Sequence, residues 1–135
     1  RDAWDGPLIV KGVMCPDDAA PLQGLGVDAV WVSNHAGRQF AGSPAAIDML
    51  PTVKAATDLP IIFDSGIEGG VDMLRALALG ADFVMMGRAW HYALGAIGAK
   101  GPAHLYEMLV DDLNSNMIQI AATQLSDLPD LLHKH

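Results

Sequence analysis

Ala29-Val30-Trp31-Val32-Ser33-Asn34-His35-Ala36-Gly37-Arg38-Gln39 changes character partway along. Its first four residues are apolar and end the way a buried parallel strand ends. The Ser, Asn, His and Arg that follow do not belong in a core. They read as a loop at the C-terminal end of a strand, where α/β folds place their chemistry. An imidazole can move a proton near neutral pH, and a guanidinium offers a planar fork that grips a carboxylate at two points. His35 and Arg38 therefore read as a base beside a carboxylate clamp, a pair suited to chemistry on the α-carbon of a 2-hydroxy acid.

The flanking segments repeat the pattern. Leu8-Ile9-Val10 reads as a first strand closed by Lys11-Gly12-Val13. A lysine closing a buried strand needs a partner for its ammonium or a route to solvent, so Lys11 is either a fixed cation facing a site or a side chain reaching for water. Pro16-Asp17-Asp18 suits a helix start, and Pro21 and Gly24 keep that helix short or kinked, ending near Gly26. The strand at residues 29–33 follows. Ser43 is placed to cap the next helix with Pro44 in its first turn. Ile47, Leu50 and Val53 keep helical spacing there, with a bend or restart expected at Pro51.

Ile61-Ile62-Phe63 is the third strand. Val71 to Leu79 is a helix with a stripe at Val71, Leu74, Leu77 and Ala78, ended by Gly80. Phe83-Val84-Met85-Met86 is the fourth strand. A short helix from Ala89 to about Ala96, a long one from about Pro102 to Ala122, a last turn or two from Leu125 to Leu132 and a polar tail, His133-Lys134-His135, complete the chain.

Strands alternating with helices imply an α/β fold with a parallel sheet and right-handed crossovers. Four such βα units over residues 1–135 make the C-terminal half of a TIM barrel. A free half-barrel exposes two strand edges and needs an N-terminal half or a partner to close. The opening Arg1 to Pro7 reads as the tail of a helix and a turn, so the chain is expected to begin inside a larger protein.

Bulk properties exclude several functions. The formal net charge of −8 argues against a nucleic-acid surface. A single cysteine, Cys15, excludes an internal disulfide framework and suggests a reducing compartment. Cys15 reads as a small half-buried residue rather than a catalytic thiol. His35, His91 and His104 lack metal-ligand spacing and cysteine partners, so no metal site is expected. Gly-x-Ser-x-Gly is absent, and no apolar run is long enough to span a bilayer.

Two loops carry the remaining chemistry. Asp64-Ser65-Gly66-Ile67-Glu68-Gly69-Gly70 follows the third strand, and its glycines let backbone N–H groups approach an anion while the next helix offers its N-terminus. Gly87-Arg88 repeats the device after the fourth strand and adds a cation. Loops after the last two strands of a β/α barrel are a recurrent phosphate site, which favours a phosphate over plain turn chemistry.

Val10-Lys11-Gly12, Ser33-Asn34-His35-Ala36-Gly37-Arg38-Gln39, Asp64-Ser65-Gly66-Ile67 and Gly87-Arg88-Ala89 together resemble the FMN-dependent 2-hydroxy acid dehydrogenases and oxidases. That family includes L-lactate dehydrogenase, glycolate oxidase and the flavin domain of flavocytochrome b2. The resemblance runs in order over nearly the whole chain and implies the C-terminal half of such an enzyme. It implies that FMN is the cofactor, that Lys11 lies by the N1/O2 edge of the flavin, and that Ser33 touches the flavin. His35 would be the catalytic base and Arg38 the clamp on the substrate carboxylate. Asp64 would bond the ribityl chain, and Gly66, Gly87 and Arg88 would hold the phosphate, with Ser65, Ile67 and Glu68 as further cofactor contacts of the same loop.

Two residues depart from the family pattern. Glu68 stands where an arginine is usual, which sets an acid against a dianion. Ala36 stands where glycine is usual, which strains the turn if it needs a positive φ. The resemblance further implies a small 2-hydroxy acid substrate, an N-terminal half-barrel as structural partner, and a homo-oligomer, a tetramer, for the complete enzyme. The expected location is the cytoplasm, with a peripheral place at the inner membrane open to quinone-linked relatives. A degenerate half-barrel that binds phosphate, FMN or a partner without catalysis remains a second reading. An isomerase or lyase barrel is a third, disfavoured by the combination of Lys11, His35 and Arg38.

Overall fold

Short apolar runs set the sheet. In the computed structural model, which describes residues 3–132, β1 (Ile9–Val13), β2 (Ala29–Val32), β3 (Ile61–Phe63) and β4 (Phe83–Val84) form one sheet in the order β1-β2-β3-β4. All three pairings are parallel. Val30 and Val32 stand in register with Ile61 and Phe63. These four side chains are fully buried, in one cluster with Ala19, Ala46, Leu50, Val53 and Ala76. Each fully buried Val, Leu, Ile or Phe contributes about 1.5–3 kcal/mol, so this layer is the main source of the fold's stability.

The helices supply the other side of that layer. They are α1 (Pro16–Ala19), α2 (Ala46–Ala55), α3 (Gly70–Ala78), α4 (Arg88–Ile97) and α5 (Gly101–Gln119). α5 packs on α3 and α4. A second cluster of Leu74, Ala122 and Leu128 joins α3 to the 3-10 segment Leu125–Leu131. Gly70 is required where α3 meets α5, because a Cβ there would lie 2.6 Å from the backbone nitrogen of Leu113.

Helices cover only one face of the sheet. The opposite row, Lys11, Trp31, Ile62 and Phe83, runs in register across all four strands. None of these four is buried among the described residues. Both edges are open too: Ile9 in β1 is 45% exposed and Phe83 in β4 is 60% exposed. Uncovered parallel strands are unusual, since such sheets normally have both faces covered.

Several local expectations need correction. Ser43 does not cap α2; Ala45 is the N-cap, without a side-chain bond. The Asn34 amide donates to the Pro44 carbonyl at 3.0 Å, which holds Pro44 in the loop and delays the helix. α2 runs unbroken through Pro51. That residue is exposed, where solvent can take the carbonyl its missing N–H leaves free. β4 ends at Val84 instead of Met86, although the Met85 N–H still donates to the Phe63 carbonyl at 2.8 Å. The tail His133-Lys134-His135 lies outside the described residues.

Candidate active site

Parallel strands bring their C-terminal ends side by side, so the loops after β1 to β4 meet. The side chains there are tied into one polar cluster. The Lys11 ammonium donates to the Ser33 hydroxyl at 2.7 Å and pairs with the Asp64 carboxylate at 3.0 Å. It also lies 4.6 Å from the centre of the Trp31 ring. The Ser65 hydroxyl donates to Asp64 at 2.8 Å and stands 3.4 Å from the Ser33 hydroxyl. Lys11 therefore has partners for its ammonium within the protein, although its side chain stays 35% exposed.

This cluster sets the charge of Asp64. Burial pushes its carboxyl pKa up, but hydrogen bonds from Ser33, Ser65 and Lys11, with the Lys11 charge, outweigh burial and hold it below the ordinary 3.8. Asp64 is thus a carboxylate at neutral pH, with a fixed cation beside it.

The same hydroxyls shape the turn that carries His35. The N–H of His35 donates to the Ser33 oxygen at 3.2 Å, and that of Ala36 donates to the Ser65 oxygen at 3.1 Å. His35 and Ala36 both take the left-handed conformation, each with φ near 55°, and Ser65 does so at 81°. Three non-glycine residues in this region are uncommon, and each costs on the order of 1–2 kcal/mol. The imidazole of His35 makes no hydrogen bond among the described residues, and its Nε2 faces Gly12.

A cleft of about 590 Å³ opens between these loops. His35, Arg38, Asp64, Ser65, Gly66, Ile67, Glu68, Gly87 and Arg88 all line it. Lys11 and Ser33 line an adjoining pocket of about 330 Å³ that shares His35. The structure thus gathers every site residue expected from the sequence around two joined hollows. Ile67 is also part of the core cluster and offers the cleft little more than a floor. The guanidiniums of Arg38 and Arg88 and the carboxylate of Glu68 have no ion-pair partner among the described residues.

The helix after the glycine loop behaves differently from expectation. The first N–H of α3, on Gly70, donates to Asp112 of α5, and the N–H of Glu68 donates to Asp72. The protein's own carboxylates take the end of α3 that was expected to face an anion. The N-terminus of α4 is the one at the cleft: no side chain caps Gly87, and Gly87, Arg88 and Ala89 are all in the wall. Sequence reasoning also missed Met85, Met86 and Tyr92 as cleft residues. Tyr92 follows Arg88 by four residues on α4, a spacing that puts both on one helix face and was readable in advance.

Known proteins resemble this chain in both sequence and fold. Residues 1–134 match the family described as FMN-dependent dehydrogenase. The chain is 41% identical over 130 residues to an L-lactate dehydrogenase of Chromohalobacter salexigens, covering 95% of this chain and 33% of that one. It is 44% identical over 124 residues to an L-lactate oxidase of Alicycliphilus denitrificans, covering 90% and 34%. A soluble mutant of the membrane-associated (S)-mandelate dehydrogenase from Pseudomonas putida superposes with a TM-score of 0.94 at 37% identity, covering 100% of this chain and 39% of the other. The chain spans about a third of the length of the two curated relatives. A match along almost its whole length, on a parallel βα half-barrel whose strand ends carry these loops, makes the chain a member of the FMN-dependent dehydrogenase family.

Proposed function

We propose that the protein carrying this chain oxidises a small L-2-hydroxy acid, lactate-like, to the 2-oxo acid with FMN. The observation that carries the reading is the sharing of one cleft by His35, Arg38, Gly66, Gly87 and Arg88.

The residues fit the cofactor of the family. The cleft volume falls in the range of cofactor pockets, about 300–1,000 Å³. An added Cβ on Gly66 or Gly87 would meet nothing within 4 Å, so both loop backbones face open space that a phosphate can occupy. Arg88 and the uncapped start of α4 would hold the phosphate, Asp64 the ribityl hydroxyls, and Lys11 and Ser33 the ring edge. Ser65, Gly66 and Ile67 complete that wall, and Glu68 is its one misfit. When bound, FMN supplies the acceptor for the two electrons that leave the substrate.

The chain's own side chains do the rest. Arg38, free of other partners, grips the substrate carboxylate in two places. That contact fixes the hydroxyl-bearing carbon near His35, whose ring nitrogen takes up a proton as the C–O bond gains double-bond character. General-base action contributes about 10²–10⁴-fold; positioning by Arg38 and the fixed charge of Lys11 add to it. The strained turn at His35 and Ala36 places the ring over the cleft and not in the core.

The uncovered sheet face and the open edges of β1 and β4 suit an N-terminal half-barrel that closes the sheet and completes the active site. A tetrameric enzyme in the cytoplasm, peripheral to the inner membrane if its acceptor is a quinone, goes with the same reading. Among the described residues, no helix is long and apolar enough to cross a membrane. Glu68 favours the second reading, a degenerate half-barrel without turnover.

Anaerobic mixing of the FMN-loaded full polypeptide with L-lactate and with longer L-2-hydroxy acids tests the proposal. Bleaching of the flavin absorbance by at least one of them is expected. A flavin that binds and stays yellow with all of them would leave binding without catalysis.

A further inference from the structure

Glu68 stands in an anion cleft without a cation of its own. Its side chain is exposed on the wall that also carries Gly66, Gly87 and Arg88. Among the described residues it forms no ion pair and no side-chain hydrogen bond; its backbone N–H alone is engaged, with Asp72. Nothing among the described residues holds the carboxylate away from whatever occupies the space over Gly66 and Gly87.

Arg38 and Arg88 supply the positive groups of that cleft, and Asp64 and Glu68 the negative ones, of which Glu68 alone has no cation paired with it among the described residues. Arg38 lies on the loop after β2, and Lys11 already pairs with Asp64, so Arg88 is the cation nearest the α4 end. At the start of α3 the N–H of Gly70 is already held by Asp112, and that of Glu68, just before the helix, by Asp72. A phosphate over Gly66 and Gly87 thus meets one guanidinium, one helix N-terminus and one opposing carboxylate.

We infer that Glu68 makes this a weak, charge-balanced phosphate site, so that the flavin is held mainly by its ring and ribityl end and hardly by its phosphate. The inference rests on the flavin reading above. A phosphate bound by an arginine and a helix end with no opposing acid would separate FMN from riboflavin by roughly 10³-fold. Here the two flavins bind within about tenfold of each other. Removing the acid restores the preference for the phosphorylated form.

Titration of the purified full polypeptide with FMN and with riboflavin, followed by quenching of flavin fluorescence, tests this in three proteins: wild type, Glu68→Gln and Glu68→Arg. Glu68→Gln is expected to tighten FMN about tenfold and Glu68→Arg further, with riboflavin unchanged within about twofold. Riboflavin binding also reports that each variant is folded. If a variant does not fold, the wild-type ratio of the two flavins still decides. A wild type that prefers FMN by about 10³-fold, or a Glu68→Gln that leaves FMN affinity unchanged, overturns this inference and leaves the flavin reading standing. Failure of all three proteins to bind either flavin overturns both.

Discussion

The strands β2 and β3 pass through two very different environments. Along their length Val30, Val32, Ile61 and Phe63 are fully buried against Leu50 and Val53. Just past their ends, and past that of β4, His35, Arg38, Glu68 and Arg88 have side chains without partners among the described residues, and His35, Ala36 and Ser65 hold left-handed backbone conformations. The first environment lowers the free energy of the fold. The second raises it and is tolerated because the first is so complete. Strain and unpaired charge gathered at one end of a well-packed sheet mark a place where structure has been set aside for chemistry.

That contrast can be broken experimentally. Phe63→Ala should show the largest loss of stability, about 3–5 kcal/mol by denaturant unfolding, because it empties the middle of the buried layer. A loss below about 1 kcal/mol would mean that the layer is not the main support.

Asp64 sits on the border between the two environments. Asp64→Asn leaves the Lys11 ammonium with the Ser33 hydroxyl and the Trp31 ring but no anion, and should cost about 1–3 kcal/mol at neutral pH. The sign of its pH dependence follows from the lowered pKa. A carboxyl depressed by folding adds stability above its ordinary 3.8, and that stability is lost as pH falls through the lower folded value. Wild type should therefore lose stability below about pH 4 more steeply than Asp64→Asn, as followed by acid titration of unfolding. Equal slopes would show that Asp64 is not held ionised by its neighbours.

Ala36→Gly should give the smallest effect and the opposite sign. Glycine accepts φ 55° and ψ 34° without the Cβ contact, so the variant should gain about 1 kcal/mol of stability. Destabilisation would mean that the methyl packs usefully in the turn.

These contrasts also show what the sequence could reveal. The four βα units were legible because each apolar run is short, followed by a polar or glycine-rich loop and then a helical stripe. The convergence of His35, Arg38, Gly66 and Arg88 follows from that pattern, since neighbouring parallel strands end side by side. The capping of α3 by Asp112 was not legible, because the two partners are 42 residues apart and belong to different helices. Nor was the one-sided cover of the sheet: Trp31 and Ile62 look like their buried neighbours, and only the register shows that they face the other way. The φ of Ser65 left no sign, because serine is an ordinary loop residue. Ala36 did leave a sign, as an alanine where the resemblance asks for glycine, and the turn does need a positive φ there.

The most direct test of the central claim is stopped-flow reduction of the flavin by an L-2-hydroxy acid in wild type and His35→Ala, each loaded with FMN under anaerobic conditions. His35→Ala should keep FMN affinity within a fewfold, because the imidazole makes no hydrogen bond among the described residues, and should be reduced about 10²–10⁴-fold more slowly. Reduction of the variant at a near-normal rate would contradict the assignment of the base and, with it, the reading of the cleft.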